Sequence, residues 1–221
     1  MLTIIKSPAF SERCPQFLGG ALTATVANSP TSVALQSEID ATIDRLLQTY
    51  DTTSIKSQAG IAATRNAYRL FGKDPSRYRP SCEQLARRAL QGKGLYTIST
   101  LVDLGNLLSL ASGYSVAVLD RSRITGETIT LGLGDANEPY EAIGRGLLNI
   151  EHLPVYRDST GGFATPTSDN VRTMVSETTT KVLILINAYD GDADCLSRTM
   201  ALAERLLLSY AAASDINHFH Y

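Results

Sequence analysis

Hydrophobic and polar positions alternate with several different periods along the chain, and each period predicts a different element. Leu2 to Ile5 reads as a short apolar strand. Leu22, Ala24 and Val26 alternate with Thr23 and Thr25, the pattern of a half-buried strand that ends at Asn28-Ser29-Pro30. Ser37, with Asp40 three residues on, opens a helix whose apolar stripe is Ile39, Ile43, Leu46, Leu47 and Tyr50. A second helix runs from Ser57 to Phe71 and stops at Gly72, with Ile61, Tyr68 and Phe71 on one side and Arg65 and Arg69 on another. Asp74-Pro75 and Arg79-Pro80 make an extended link. Ser81 then caps a third helix, with Gln84 as its capping-box partner. Tyr96 and Ile98 read as a short strand or a lead-in. Thr100 caps a leucine-rich fourth helix with Asp103 at the box position, and Gly113 stops it.

From Tyr114 onward the period shortens. Strands are expected at Tyr114–Leu119, Thr128–Leu133, Leu147–Ile150 and Val155–Arg157, punctuated by glycines. Val171, Thr173 and Val175 alternate with polar residues as a one-sided strand, and Val182–Ala188 is a continuous apolar run, as in a strand buried on both faces. Asp192 caps a last helix from Ala193 to about Ser209, and the tail from Ser214 to Tyr221 reads as frayed. These elements predict an α/β (α+β) fold, mixed β-sheets flanked by helices. The chain reads as one domain over 1–221, with an N-terminal αβ portion (1–55), a main portion (56–213) and the tail (214–221).

Composition narrows the function classes. No apolar run reaches 18 residues, so no membrane span is expected, and the N-terminal apolar segment is too short for a secretory signal. The three cysteines are scattered, which argues against a disulfide framework or a thiolate zinc site and for a cytoplasmic protein. His152 reads as structural or surface-exposed, and His218 with His220 lacks a third metal ligand. No metal and no cofactor is expected. G-x-S-x-G, P-loop and H-E-x-x-H motifs are all absent, so a dedicated covalent nucleophile is not supported.

Charge adds a more specific signal. Between residues 65 and 93 eight Lys or Arg face two acids, a local net of +6, whereas the rest of the chain holds 12 basic and 20 acidic residues. If folded onto one face, Arg65, Arg69, Arg77, Arg79, Arg87 and Arg88 favour a polyanion, with Tyr68, Tyr78 and Tyr96 available to stack on unpaired bases. The alternative is that Tyr68 is core and the arginines pair with acids such as Glu83. A second constellation is GGFATPTSDNVRTMV, residues 161–175. Gly161 and Gly162 allow close backbone approach, and Thr167, Ser168, Asp169 and Thr173 supply hydroxyls and a carboxylate. The alternative there is a turn in which Thr167, Ser168 and Asp169 satisfy their own backbone. A third stretch, 140–154, sets Glu141, Arg145, Asn149 and His152 among apolar residues.

The segments RNAYRLFGKDPSRYRPS, GKGLYTISTLVDLGNLLSL, GYSVAVLD, YEAIGRGLLNIEHLPVYRD and PTSDNVRTMV, spread over about residues 57–190, resemble the B3/B4 domain of the bacterial phenylalanyl-tRNA synthetase β subunit in its free-standing form. The resemblance implies a B3/B4-like fold and a pocket that, in the synthetase, hydrolyses tyrosine wrongly esterified to phenylalanine tRNA. Such hydrolysis needs a polar pocket and a positioned water rather than a nucleophilic side chain. It implies tRNA or aminoacyl-tRNA as partner, with the six arginines on the phosphates. Thr167, Ser168, Asp169 and Thr173 are then the catalytic set, and Asn106, Glu141, Gly161 and Gly162 bind substrate. Asn106 matches an asparagine of the synthetase pattern. The histidine that precedes a Phe-Asp pair there is absent here, where Ala117-Val118-Leu119-Asp120 stands, and this puts hydrolysis in question. A reading of a different class is a non-catalytic protein that binds a free amino acid. The sequence sets no oligomeric state.

Overall fold

The computed structural model describes residues 2–221. In chain order its elements are β1 (Thr3–Lys6), α1 (Pro8–Arg13), β2 (Leu18–Thr25), α2 (Val33–Thr49), α3 (Ala59–Leu70), α4 (Ser81–Leu90), α5 (Thr100–Ser112), β3 (Ser115–Asp120), β4 (Thr128–Leu133), β5 (Glu141–Ala142), β6 (Gly146–Leu147), β7 (Pro154–Asp158), β8 (Gly161–Ala164), β9 (Lys181–Ala188), α6 (Ala193–Tyr210) and β10 (Ser214–His220). One four-stranded sheet has the order β10-β2-β9-β3 and is antiparallel throughout. A second has the order β1-β4-β7-β8, with β1 parallel to β4 and the rest antiparallel. The fold is therefore mixed α/β, as expected. Among the described residues no helix is long and apolar enough to cross a membrane.

β9 explains the layering. Its side chains alternate faces, and both faces are apolar. Val182, Ile184 and Ile186 pack with leucines of α5 and with Leu196, Met200 and Leu206 of α6. Leu183 and Leu185 face the second sheet, where Ile129, Leu131, Tyr156 and Phe163 meet them. At the end of that inter-sheet layer the alternation delivers polar groups instead. Asn187 on β9 and Ser115 opposite it on β3 are buried on the inner face. α5 lies close over β3 because it carries Gly105, whose missing Cβ would sit 2.5 Å from Val118 Cγ2.

Several expectations are corrected. α2 begins at Val33, not Ser37, because Ser32 accepts the Leu35 amide as its N-cap. Ser81 and Thr100 are first helical residues, with Pro80 and Ser99 as N-caps. Gln84 makes no capping box, since its amide donates to the Arg79 and Thr167 carbonyls. Residues 96–98 form no strand and are the lead-in to α5. Val171–Thr173 is a 3₁₀ turn, because Asn170 accepts the Arg172 amide and overrides the alternation. Of 147–150 only Leu147 lies in a strand, whereas Gly161 and Gly162, read as allowing close backbone approach, open strand β8. The tail is not frayed: β10 pairs with β2, and Tyr221 exchanges backbone hydrogen bonds with Gly19.

Candidate functional site

A cavity of about 360 Å³ opens at the polar end of the inter-sheet layer. That is the size of a small-molecule site. Its floor is Ser115 and Ala117 of β3, Tyr156 of β7 and Asn187 of β9. Ser81, Gln84 and Leu85 of α4 and Asn106 of α5 form one side, and the segment 164–169 after β8 forms the other. Ile143 and Arg145, at the tip of the β5–β6 hairpin, stand at the mouth. The hairpin is fixed there by the Ile143 amide, which donates to the Asp169 carbonyl at 2.9 Å.

The segment 165–169 is held by its own hydroxyls. Thr165 Oγ1 accepts from the amides of Thr167 and Ser168 and donates to the Ser168 carbonyl, so the turn is made by Thr165 and not, as in the alternative above, by Thr167, Ser168 and Asp169. Thr167 Oγ1 donates to the Tyr78 carbonyl at 2.7 Å and accepts from the Tyr68 hydroxyl at 2.8 Å. That hydroxyl is fully used, so Thr167 shapes the cavity and is not free for chemistry. Ser168 Oγ makes only a long contact of 3.4 Å to the Ile143 carbonyl, so it remains available. Asp169 is the outlier. The residue is partly exposed, yet its Oδ1 is buried and has no hydrogen-bond partner. Burial pushes its carboxyl up from 3.8 to about 7, against a smaller opposite pull from the Thr165 amide.

The floor is pre-oriented by a buried chain. Tyr156 donates to Asn187 Oδ1 at 2.7 Å, its oxygen lies 2.8 Å from the Tyr221 hydroxyl, and Asn187 Nδ2 donates to the Ser115 carbonyl at 2.9 Å. Because Oδ1 is already taken, the second Nδ2 hydrogen is the group that Asn187 retains for a ligand acceptor. Tyr156→Phe leaves Asn187 Oδ1 and the Tyr221 hydroxyl each without this buried partner. The expected cost is about 1–3 kcal/mol, read as a lower urea midpoint.

The structure thus brings Asn106, Thr167, Ser168 and Asp169 together around one cavity. It places the other four elsewhere. Thr173 is fully buried and hydrogen-bonded to the Phe163 carbonyl. Gly161 and Gly162 lie in β8, and a Cβ on Gly162 would meet Val155 at 2.9 Å. Glu141 is exposed on the hairpin away from the cavity lining. Sequence reasoning missed Ser115, Tyr156 and Asn187 and gave no site role to Gln84 and Arg145. Asn187 had one legible signal, as the polar residue in the apolar run VLILINA.

The arginines divide into two groups. Glu83, fully buried in the first turn of α4, holds Arg65 Nη1 at 2.8 Å and Arg87 Nε at 2.8 Å, with Arg79 Nε at 3.7 Å. Arg65 and Arg87 are therefore structural. Arg69 contacts only Asn66 and is exposed, Arg77 is exposed beside the Tyr78 ring, and Arg88 lies over the Tyr96 ring. Tyr68 is core, Tyr78 is partly buried with Lys73 Nζ 3.8 Å from its ring centroid, and Tyr96 is exposed. Arg145 donates to Gln84 Oε1 and has no carboxylate partner among the described residues.

Comparison with known proteins gives one family match. The model of the B3/4 domain matches residues 63–204, a span that contains α4, α5 and every residue of the cavity lining. A search of curated proteins returns no match. Among solved structures, an N-terminal fragment of the phenylalanyl-tRNA synthetase β-subunit from Pyrococcus horikoshii is similar at 10% identity and a TM-score of 0.49, over 99% of this chain and 54% of that one. The chain thus spans about half the length of that fragment.

Proposed function

The chain belongs to the B3/4 domain family, and from that premise we propose that its cavity receives the aminoacyl end of a tRNA and hydrolyses the ester there. The observation that carries this reading is Asp169, which lines a cavity with room for an amino acid and has one buried, unpartnered carboxylate oxygen. In this mechanism Asp169 takes a proton from water as the water oxygen attacks the ester carbonyl carbon. The carbon–oxygen bond to the ribose then breaks, and the ribose oxygen leaves with a proton. Ser168, Asn106 and the free hydrogen of Asn187 hold the aminoacyl group. A carboxyl near 7 suits a base working at neutral pH. Ala117 lines the floor where the synthetase pattern has its histidine, so the water is ordered by Asp169 rather than by an imidazole.

Arg69, Arg77 and Arg88 then meet the phosphates, joined by Arg79, which lies 3.7 Å from Glu83 and is more exposed than the two that Glu83 holds at 2.8 Å. Arg65 and Arg87 do not, because Glu83 engages both.

A deacylation panel over tyrosine-, phenylalanine- and serine-charged tRNAs tests the reaction, with turnover of at least one ester expected. In the same samples tRNA affinity should fall steeply with salt, and Arg77→Ala should reduce the slope by about one. Absence of turnover on every ester refutes hydrolysis. A salt-independent affinity refutes the phosphate contacts.

One observation favours a second reading, a binding protein for a free amino acid. Arg145 at the mouth has no carboxylate partner among the described residues, and a free amino acid supplies a carboxylate that an ester does not. Amino-acid binding that Arg145→Gln abolishes, with no RNA affinity, would select it.

A further inference from the structure

The segment between α4 and α5 displays an aromatic ring on an anchored loop. Leu95 packs against two of the apolar clusters. Thr97 Oγ1 donates to Gln36 Oε1 at 3.1 Å, and the Ile98 amide donates to the Asp103 carboxylate at 3.3 and 3.1 Å. Between these anchors Tyr96 is 68% exposed. A loop tied on both sides that still turns a tyrosine outward spends no core on it and holds the ring in place.

One ring face is already covered. The Arg88 guanidinium carbon lies 3.9 Å from the Tyr96 centroid, the geometry of a cation stacked on a π-face. Arg88 has no salt bridge among the described residues, its Nε is buried without a hydrogen-bond partner, and its Nη2 makes only a 3.4 Å contact to the Lys93 carbonyl. Exposed Lys93 adds a second positive charge nearby. The cluster thus pairs an open aromatic surface with unneutralised cations, which is the chemistry that binds unpaired nucleic acid.

Its position ties it to the cavity. Ser81, Gln84 and Leu85 line the cavity from α4, and Arg88 follows Gln84 and Leu85 at the i+4 and i+3 positions, on the same helical row. The stack is therefore about one turn, roughly 5 Å, further along the helix than the cavity wall.

We infer that the Arg88–Tyr96 stack is a platform for an unpaired nucleobase, and that it seats the single-stranded RNA next to the aminoacyl group in the cavity. This inference rests on the tRNA reading above and adds to it the residue that holds a base rather than a phosphate. Stacking makes the platform tolerant of base identity.

The chain has no tryptophan, so Tyr96→Trp reports directly on the site. The probes are a six-nucleotide single-stranded RNA and unacylated tRNA. Quenching of the emission of the Tyr96→Trp variant by both is expected. Tyr96→Ala should weaken RNA affinity about tenfold at an unchanged salt slope, because no cation is lost, while Tyr96→Phe should bind as the parent does. Arg88→Gln should weaken binding and also lower the slope by about one. An unchanged urea midpoint for Tyr96→Ala checks that the fold is intact.

If the parent protein binds tRNA with a steep salt slope and Tyr96→Ala binds equally well, the platform is overturned and the tRNA reading stands. If the parent binds no RNA at low salt, both are overturned.

Discussion

Glu83→Gln is expected to lower the unfolding free energy by about 3 kcal/mol, seen as a fall in the urea midpoint with little change in m. The carboxylate is fully buried, and the guanidinia it holds are themselves mostly covered, with side-chain exposures of 11% for Arg65 and 23% for Arg87. Glutamine keeps the shape and one acceptor oxygen but removes the charge. Two arginines then remain inside the protein without a counter-ion, the expensive half of breaking a buried pair. The loss falls where α3, the 3₁₀ turn at Ile55–Ser57 and α4 converge, since Arg87 also donates to the Thr52 carbonyl and Arg65 to the Pro75 carbonyl. Arg69→Gln is the control. Arg69 is exposed and contacts only Asn66, so its removal should stay within about 0.5 kcal/mol. Equal effects of the two substitutions would mean that the Glu83 cluster behaves as an ordinary surface pair.

The contrast between those arginines shows what sequence can and cannot carry. A count of charges over residues 65–93 locates a basic segment correctly. It cannot say which guanidinia are free, because that depends on Glu83 turning inward from α4 to meet Arg65 from α3. Elements that bury a whole face were legible. The run Val182–Ala188 is β9, the leucines of Thr100–Ser112 are α5, and Asp192 caps α6 by accepting the Cys195 amide. β10 was not legible, because an edge strand held by backbone pairing needs no apolar period, and its outward residues are largely exposed. The same division runs through the cavity. Thr167, Ser168 and Asp169 were readable as adjacent polar residues in a glycine- and proline-bearing stretch. Tyr156, Ser115 and Asn187 lie far apart in sequence and meet only through the pairing of β3 with β9 and the stacking of one sheet on the other.

Asp169 should produce the largest functional effect, and it should do so with opposite signs in activity and stability. Its carboxyl is raised to about 7 by burial, with Tyr140 and Tyr156 as further buried groups that feel its charge. As a base it works only when ionised, so ester hydrolysis should rise with pH and level off above about 7. Asp169→Asn should cut turnover about 10²–10⁴-fold and remove that rise. Stability follows the other sign. In the unfolded chain the group ionises near 3.8, in the folded one near 7, so between these values the folded state holds more protons. Unfolding is then progressively favoured as pH climbs from about 4 to 7, and the full penalty persists above 7. Allowing for water at the open cavity, that penalty is on the order of 3 kcal/mol. Asp169→Asn never ionises. It should match the parent near pH 3, exceed it in urea midpoint at pH 8, and show only the residual turnover at either pH. A bound aminoacyl group that donates a hydrogen bond to the Asp169 carboxylate would draw the carboxyl back down, so ligand binding near pH 6.5 should release a proton, measurable as a buffer-dependent heat. If the parent and Asp169→Asn show the same pH profile of stability, the carboxylate is solvated after all, and the base assigned to the cavity goes with it.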